Sequence, residues 1–260
     1  MNIASLRKPA ILLTIALALS LGACAGKKTK LDKSYVARDV DTLYTLAKEK
    51  LDAHEYKLAG ALFDEVERQH PYSVWARRAE LMSAFSYYLA REYTESTNAA
   101  QRFLSIHPGN RDAAYAYYMI ATNYYEQIAD VTRDQRITQQ ALDALGEVIR
   151  RFPDSTYAAD AKLKVDLVRD HLGGKEMEIG RFYQKRGQWL AATIRFRTVI
   201  DKYDSTSHVP EALERLTECY LSLGIPEEAQ KSAAVLGHNY PGNIWYQRAY
   251  ALMQKHPLKS

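Results

Sequence analysis

Five times along this 260-residue chain a histidine or aromatic is followed by Pro or Asp where a helix reads as ending. The pairs are His70-Pro71, His107-Pro108, Phe152-Pro153, Tyr203-Asp204 and Tyr240-Pro241. Their second members lie 37, 45, 51 and 37 residues apart, a spacing that belongs to repeat arrays. Eleven residues before the first member of each pair stand Ala59, Ser96, Ala141, Ala192 and Ala229, all small. Seven before stand Phe63, Ala100, Leu145, Phe196 and Ala233, and four before stand Val66, Phe103, Val148, Val199 and Leu236. Positions three or four apart share one helix face, so each unit predicts a helix with a small and apolar stripe.

A second helix precedes each of these. Twenty-three residues before the terminal position lie Ala47, Ala84, Gly180 and Thr217, with Tyr87, Tyr183 and Tyr220 three residues after the last three. In the third unit the matching pair is Ala121 and Tyr124, displaced by eight residues, which predicts an insertion near Gln127–Arg136. The fourth unit carries 14 residues beyond the 37-residue spacing, near Ser155–His171, in a helix-compatible stretch. The pattern resembles the tetratricopeptide repeat, in which small residues let paired helices approach and Pro ends the second helix. The fold class expected is all-α, a right-handed solenoid of about five helix pairs with a concave surface. Residues 35–153 hold repeats 1–3, and residues 154–260 hold repeats 4–5 and a C-terminal helix.

The first 23 residues read as a leader. Arg7 and Lys8 precede a twelve-residue apolar run from Ala10 to Leu21, too short to span a bilayer and suited to a signal peptide. Leu21-Gly22-Ala23-Cys24 resembles the bacterial lipobox. The likeness implies cleavage before Cys24, an S-diacylglycerol on its sulfur and an acyl chain on its new amine. An ordinary secretory signal with an incidental Cys is the competing reading. Three acyl chains anchor stably where one does not, and Ala25 after the Cys implies sorting to the outer membrane. Residues 24–34 form a polar tether in which Lys27, Lys28 and Lys30 either sit in solvent or touch anionic head groups. Cys219, within Leu213-Leu216-Cys219-Tyr220-Leu223, reads as a buried structural thiol.

Without residues 1–23, 33 Lys+Arg face 31 Asp+Glu, a balance that excludes a nucleic-acid footprint. No phosphate loop, H-E-x-x-H or C-x-x-C occurs, so neither a cofactor, a metal site nor enzymatic catalysis is expected. Gly173-Gly174-Lys175 reads as a helix-terminating turn. His70 and His107 occupy equivalent repeat ends, as packing or capping residues do. Nineteen tyrosines are more informative. Tyr115, Tyr117, Tyr118, Tyr124 and Tyr125 crowd one helix and Tyr87 and Tyr88 end another. Adjacent helical residues point apart, so some of these must face outward, where Tyr is enriched in interfaces.

Local strings narrow the reading. His70-Pro71-Tyr72-Ser73, Ala116-Tyr117-Tyr118-Met119, Arg151-Phe152-Pro153-Asp154-Ser155-Thr156-Tyr157-Ala158 and Tyr183-Gln184-Lys185-Arg186-Gly187-Gln188-Trp189 resemble the BamD (ComL) family. These are lipoprotein subunits of the outer-membrane β-barrel assembly machinery. The resemblance implies that repeats 1–3 receive the targeting strand of unfolded barrel proteins, with Tyr87, Tyr88, Tyr115, Tyr117 and Tyr118 as candidate contacts. It implies that the C-terminal repeats dock on the central barrel subunit, through Arg195 with Arg197 beside it, and that accessory lipoproteins join the complex. Asp204 in place of Pro departs from the repeat pattern. Two other readings need less: a lipid-anchored repeat adaptor for cell-wall or cell-division proteins, and a lipid-anchored envelope hydrolase.

Overall fold

The structure is a computed structural model that describes residues 39–256. The lipobox with Cys24, the leader 1–23 and the tether 24–34 lie outside the described residues. Among the described residues there are eleven helices and no strand. They are α1 (Val40–Asp52), α2 (Tyr56–Gln69), α3 (Val74–Leu89), α4 (Tyr93–Ile106), α5 (Ala113–Glu126) and α6 (Arg136–Arg151). Then follow α7 (Thr156–Lys185), α8 (Trp189–Lys202), α9 (Val209–Ser222), α10 (Pro226–Asn239) and α11 (Ile244–Lys255). Each helix packs against the next, and the first helices of neighbouring pairs touch: α1 with α3, α3 with α5, α5 with α7. The arrangement is five helix pairs closed by one further helix. No helix among the described residues is long and apolar enough to cross a membrane.

The repeat columns become the core. The small residues Ala59, Ser96, Ala141, Ala192 and Ala229 are all fully buried, as are Val66, Phe103, Val148, Val199 and Leu236 one and a half to two turns later. On the first helices Ala47, Ala84, Ala121, Gly180 and Thr217 are buried too. Small side chains at these crossings let the backbones close in, and burial of each large apolar neighbour contributes about 1.5–3 kcal/mol. At Gly180 the fit is tightest, because a Cβ there would overlap the Phe196 ring of α8.

The five ends share one geometry. His70, His107, Phe152, Tyr203 and Tyr240 each stop a helix, with φ between −136° and −125°. Each donates its N–H to the carbonyl four residues back. Each then accepts from the N–H three residues on: Ser73, Asn110, Ser155, Thr206 and Asn243. That is a four-residue turn whose second position suits Pro and tolerates most residues, so Asp204 replaces Pro without breaking it. Ser73, Ser155 and Asn243 then cap the following helix, accepting from Ala76, Ala158 and Trp245. His107 also packs on Phe103, with ring centroids 5.3 Å apart.

The two irregular units stay in register by different means. The excess of the third is the loop of residues 127–135 between α5 and α6. That of the fourth lengthens its first helix, so α7 runs 30 residues. Gly173 and Gly174 do not end a helix; they lie buried inside α7, correcting the expectation of a turn. Two mid-helix glycines cost about 1 kcal/mol each relative to Ala, and close approach offsets it. A Cβ on Gly173 would meet Tyr203, Thr206 and His208 at 3.4 Å, and one on Gly174 would meet the His208 Nε2 at 3.1 Å. Lys175 then donates to the Thr132 and Arg133 carbonyls, at 3.0 and 3.2 Å, tying the insertion to the extension. Cys219 is fully buried among Met177, Phe196, Leu213 and Leu216, and burial pushes its thiol up to about 12.

Candidate functional site

Of the five candidate tyrosines, the structure gathers three. Tyr115 and Tyr118 lie one turn apart on α5, and both rings meet Tyr157 of α7, at centroid distances of 5.7 and 5.2 Å. Tyr88, at the end of α3, meets Tyr93 at the start of α4, at 6.1 Å. Tyr88 is also close enough for its hydroxyl to feel Tyr118 and Lys164. The Lys164 Nζ stands 5.7 Å from the Tyr118 ring centroid and 5.4 Å from that of Tyr125. It pairs with Asp160, which also accepts the Tyr118 hydroxyl proton. Rings 5–6 Å apart in tilted arrangements hold one another in place, so the cluster is preorganised.

Its electrostatics follow from this packing. Burial raises the Tyr115 hydroxyl well above its ordinary range, and the neighbouring hydroxyls of Tyr157, Tyr118 and Tyr88 add to it. Burial also raises Tyr118, with the Asp160 hydrogen bond second. Asp160 is held below the usual carboxylate range by its hydrogen bonds from Lys164 and then Tyr118. Burial alone would lower Lys164, but the bonds to Asp160 and Tyr118 win and raise it. At neutral pH Tyr115 and Tyr118 are therefore neutral phenols beside one locked ion pair. The five rings are half-buried against the core, so what they present outward is ring edge and hydroxyl.

The other two tyrosines work elsewhere. Tyr87 lies against Gly60 of α2, where a Cβ would come within 2.9 Å of the ring. Its hydroxyl donates to Asp64 at 2.9 Å, and Asp64 also accepts from Ser83 at 2.6 Å and Arg102 at 2.7 Å. Tyr117 packs on Phe152 at 5.6 Å under the Arg151 guanidinium. Both join helices to helices. The reading of the sequence missed Tyr93, Tyr157, Asp160 and Lys164. The last three stand three and four residues apart on α7, so a search for one helix face carrying aromatic, acid and base would have found them. They also lie beyond residue 153, so the cluster is built from both sides of that boundary.

The candidate docking arginines sit on α8. Arg195 is half-exposed and its Nη1 donates to Glu176 of α7 at 3.2 Å. Arg197 is exposed. On its side of α8, at positions four and three residues apart, come Leu190 and Ile194, 65% and 58% exposed. An exposed Leu–Ile pair beside an exposed Arg is the composition of an interface core with a charged rim.

A family model described as YfiO, outer membrane lipoprotein, matches residues 36–236. A curated relative from Caulobacter vibrioides, named outer membrane protein assembly factor BamD, is 49% identical over 97% of this chain and 83% of its own. One of the same name from Rickettsia prowazekii is 44% identical over 93% and 95% of the two chains. Among solved structures, the tetratricopeptide domain of P58(IPK) is 17% identical over 83% of this chain and 56% of its own, with a TM-score of 0.43.

Proposed function

Because the chain belongs to the YfiO family of outer membrane lipoproteins, that of the assembly factor BamD, we propose that it is a lipid-anchored, non-catalytic scaffold for inserting β-barrel proteins into the outer membrane. The observation that carries the substrate side is the preorganised phenol cluster of Tyr88, Tyr93, Tyr115, Tyr118 and Tyr157 around the Asp160–Lys164 pair. An unfolded barrel protein ends in an extended strand of alternating apolar residues with a terminal aromatic. Aromatic area at low entropy cost receives such a segment, with weak affinity because the peptide loses freedom on ordering. The α8 surface of Leu190, Ile194, Arg195 and Arg197 docks on the central barrel subunit, and Cys24 carries the diacylglycerol and acyl chains that hold the chain at the membrane.

A pull-down of the full chain from detergent extract tests the assembly role, with the barrel-forming subunit as expected dominant partner. Recovery of cell-wall enzymes instead would favour a cell-wall adaptor. The substrate site is tested with a strand peptide ending in Phe. The parent should bind it, Tyr118→Ala should weaken it at least about fivefold, and a scrambled peptide should not compete. Equal binding of the scrambled peptide would refute specific recognition.

A further inference from the structure

The array breaks its own period twice, in the 127–135 insertion and the α7 extension, and both pieces wall one cleft. This open cavity of about 330 Å³ lies between Val131 of the insertion, Leu167, His171 and Gly174 of α7, and His208 ahead of α9. Insertions in repeat proteins collect on the binding face. The cleft also continues the tyrosine site. Asp160, Lys164, Leu167, His171, Gly174 and Glu178 recur every three or four residues of α7 and so form one stripe. Leu163 and Leu167, 67% and 60% exposed, are the apolar ledge between the two ends.

The cleft presents negative charge to solvent. Asp170 and Glu178 keep 42% and 49% of their side chains exposed, whereas their partners His208 and Arg181 keep only 25% and 27%. Arg181 is already spent, donating to Glu178 at 2.7 Å and to both oxygens of Glu211 at 3.0 Å. Glu211 is also paired with Arg215 at 3.2 Å, so the carboxylates left facing solvent in the cleft are Asp170 and Glu178. On the wall the His171 Nε2 is buried without a hydrogen-bond partner.

We propose that this cleft is a second subsite on the substrate path and takes a Lys or Arg side chain of the bound strand. The strand itself would run along Leu163 and Leu167, and the basic side chain would lay its stem against Val131 and bring its charged head to Asp170 or Glu178. Long basic side chains bury their stems and keep their heads polar in this way. From Lys164 to Gly174 or Glu178 the helix advances about 15–21 Å, the length of about four to six extended residues. Alternate side chains of a strand face the same way, so the basic residue belongs at the fourth or sixth position before the terminal aromatic. The assignment rests on the reading that the tyrosine cluster holds the strand's aromatic end.

Two measurements on the full chain separate the two. First, strand peptides ending in Phe are compared with Lys, Gln or Glu at the fourth and sixth preceding positions. Lys should bind about three- to tenfold tighter than Glu. Glu178→Gln should shrink that preference while leaving the Gln peptide unchanged, and Tyr118→Ala should weaken all peptides alike. Second, N-acetyl-Leu-Lys-Leu-amide, too short to reach the tyrosines, should shift the His171 and His208 ring resonances, and its Leu-Glu-Leu counterpart should not. Peptides that depend on Tyr118 but bind equally with Lys, Gln or Glu, with no tripeptide shift, would overturn the subsite and leave the strand reading intact. A Lys-selective tripeptide shift with no binding of the long peptides would do the reverse.

Discussion

Glu80 gives the sharpest test of the packing. It sits in α3, 3% exposed, with its Oε2 lacking a hydrogen-bond partner and the His107 Nε2 3.7 Å away. Burial, and then the like charge of Glu67, raise its carboxyl to about 7 against Arg102 and Arg77. A carboxyl that ionises near 4.5 in the unfolded chain and near 7 in the fold binds its proton more tightly when folded. Its contribution is therefore greatest below about pH 4.5 and is lost as pH rises through 7. The loss approaches about 3 kcal/mol above both values, at about 1.4 kcal/mol per pH unit. Glu214 of α9, raised to about 7 by burial and then by Glu218, adds a second loss of the same sign. Urea unfolding from pH 5 to pH 8.5 should show the parent weakening, and Glu80→Gln should not share its part of the slope. The difference in unfolding free energy between variant and parent should thus move by up to about 3 kcal/mol in the variant's favour across that range. For a chain of this size that is about 6–12 °C in Tm. The slope is the readout, because a buried amide has its own fixed cost. A difference that stays constant with pH would refute the buried, protonated carboxyl.

Other outcomes test other joints. Gly180→Val, which must push the Phe196 ring off its seat, should destabilise the chain by about 2 kcal/mol or more in thermal melts; a neutral result would show that the α7–α8 crossing is slack. Arg195→Glu places two acids together at Glu176 and should both lower Tm and impair co-purification with the barrel subunit. Adding Glu176→Arg should restore the melt alone, whereas recovery of both would make the Arg195 role purely structural. Arg197→Glu, on an exposed position, should leave Tm within about 1 °C and reduce co-purification. Mass spectrometry of the native chain should find a mature start at Cys24 plus acyl mass, and Cys24→Ser should release the protein from membranes without changing its melting; an unmodified start elsewhere would end the anchor reading.

Much of the architecture is written along the chain. A helix places residues three and four apart on one face whatever surrounds it, so the columns at Ala59, Phe63 and Val66 and their counterparts in the other units were legible without coordinates. So were the helix ends, since the turn after His70 or Tyr203 needs only four consecutive residues. The insertion near 127–136 followed from counting. The site was legible only in part, because its contacts join residues tens of positions apart. Tyr117 and Tyr118 are neighbours of identical chemistry, yet one packs on Phe152 and the other faces Tyr157 and Lys164. A rotation of about 100° per residue separates them, and only the stagger between repeats decides which side faces a neighbouring helix. Gly173-Gly174 reads locally as a stop, and the approach of His208 across 34 residues turns it into a mid-helix contact. Arg195 and Glu176 stand 19 residues apart, and only the packing of α8 on α7 brings them together. Local periodicity determines the helices and their pairing. The close packing of one repeat on the next decides which of their polar and aromatic side chains are buried, paired or left facing a partner.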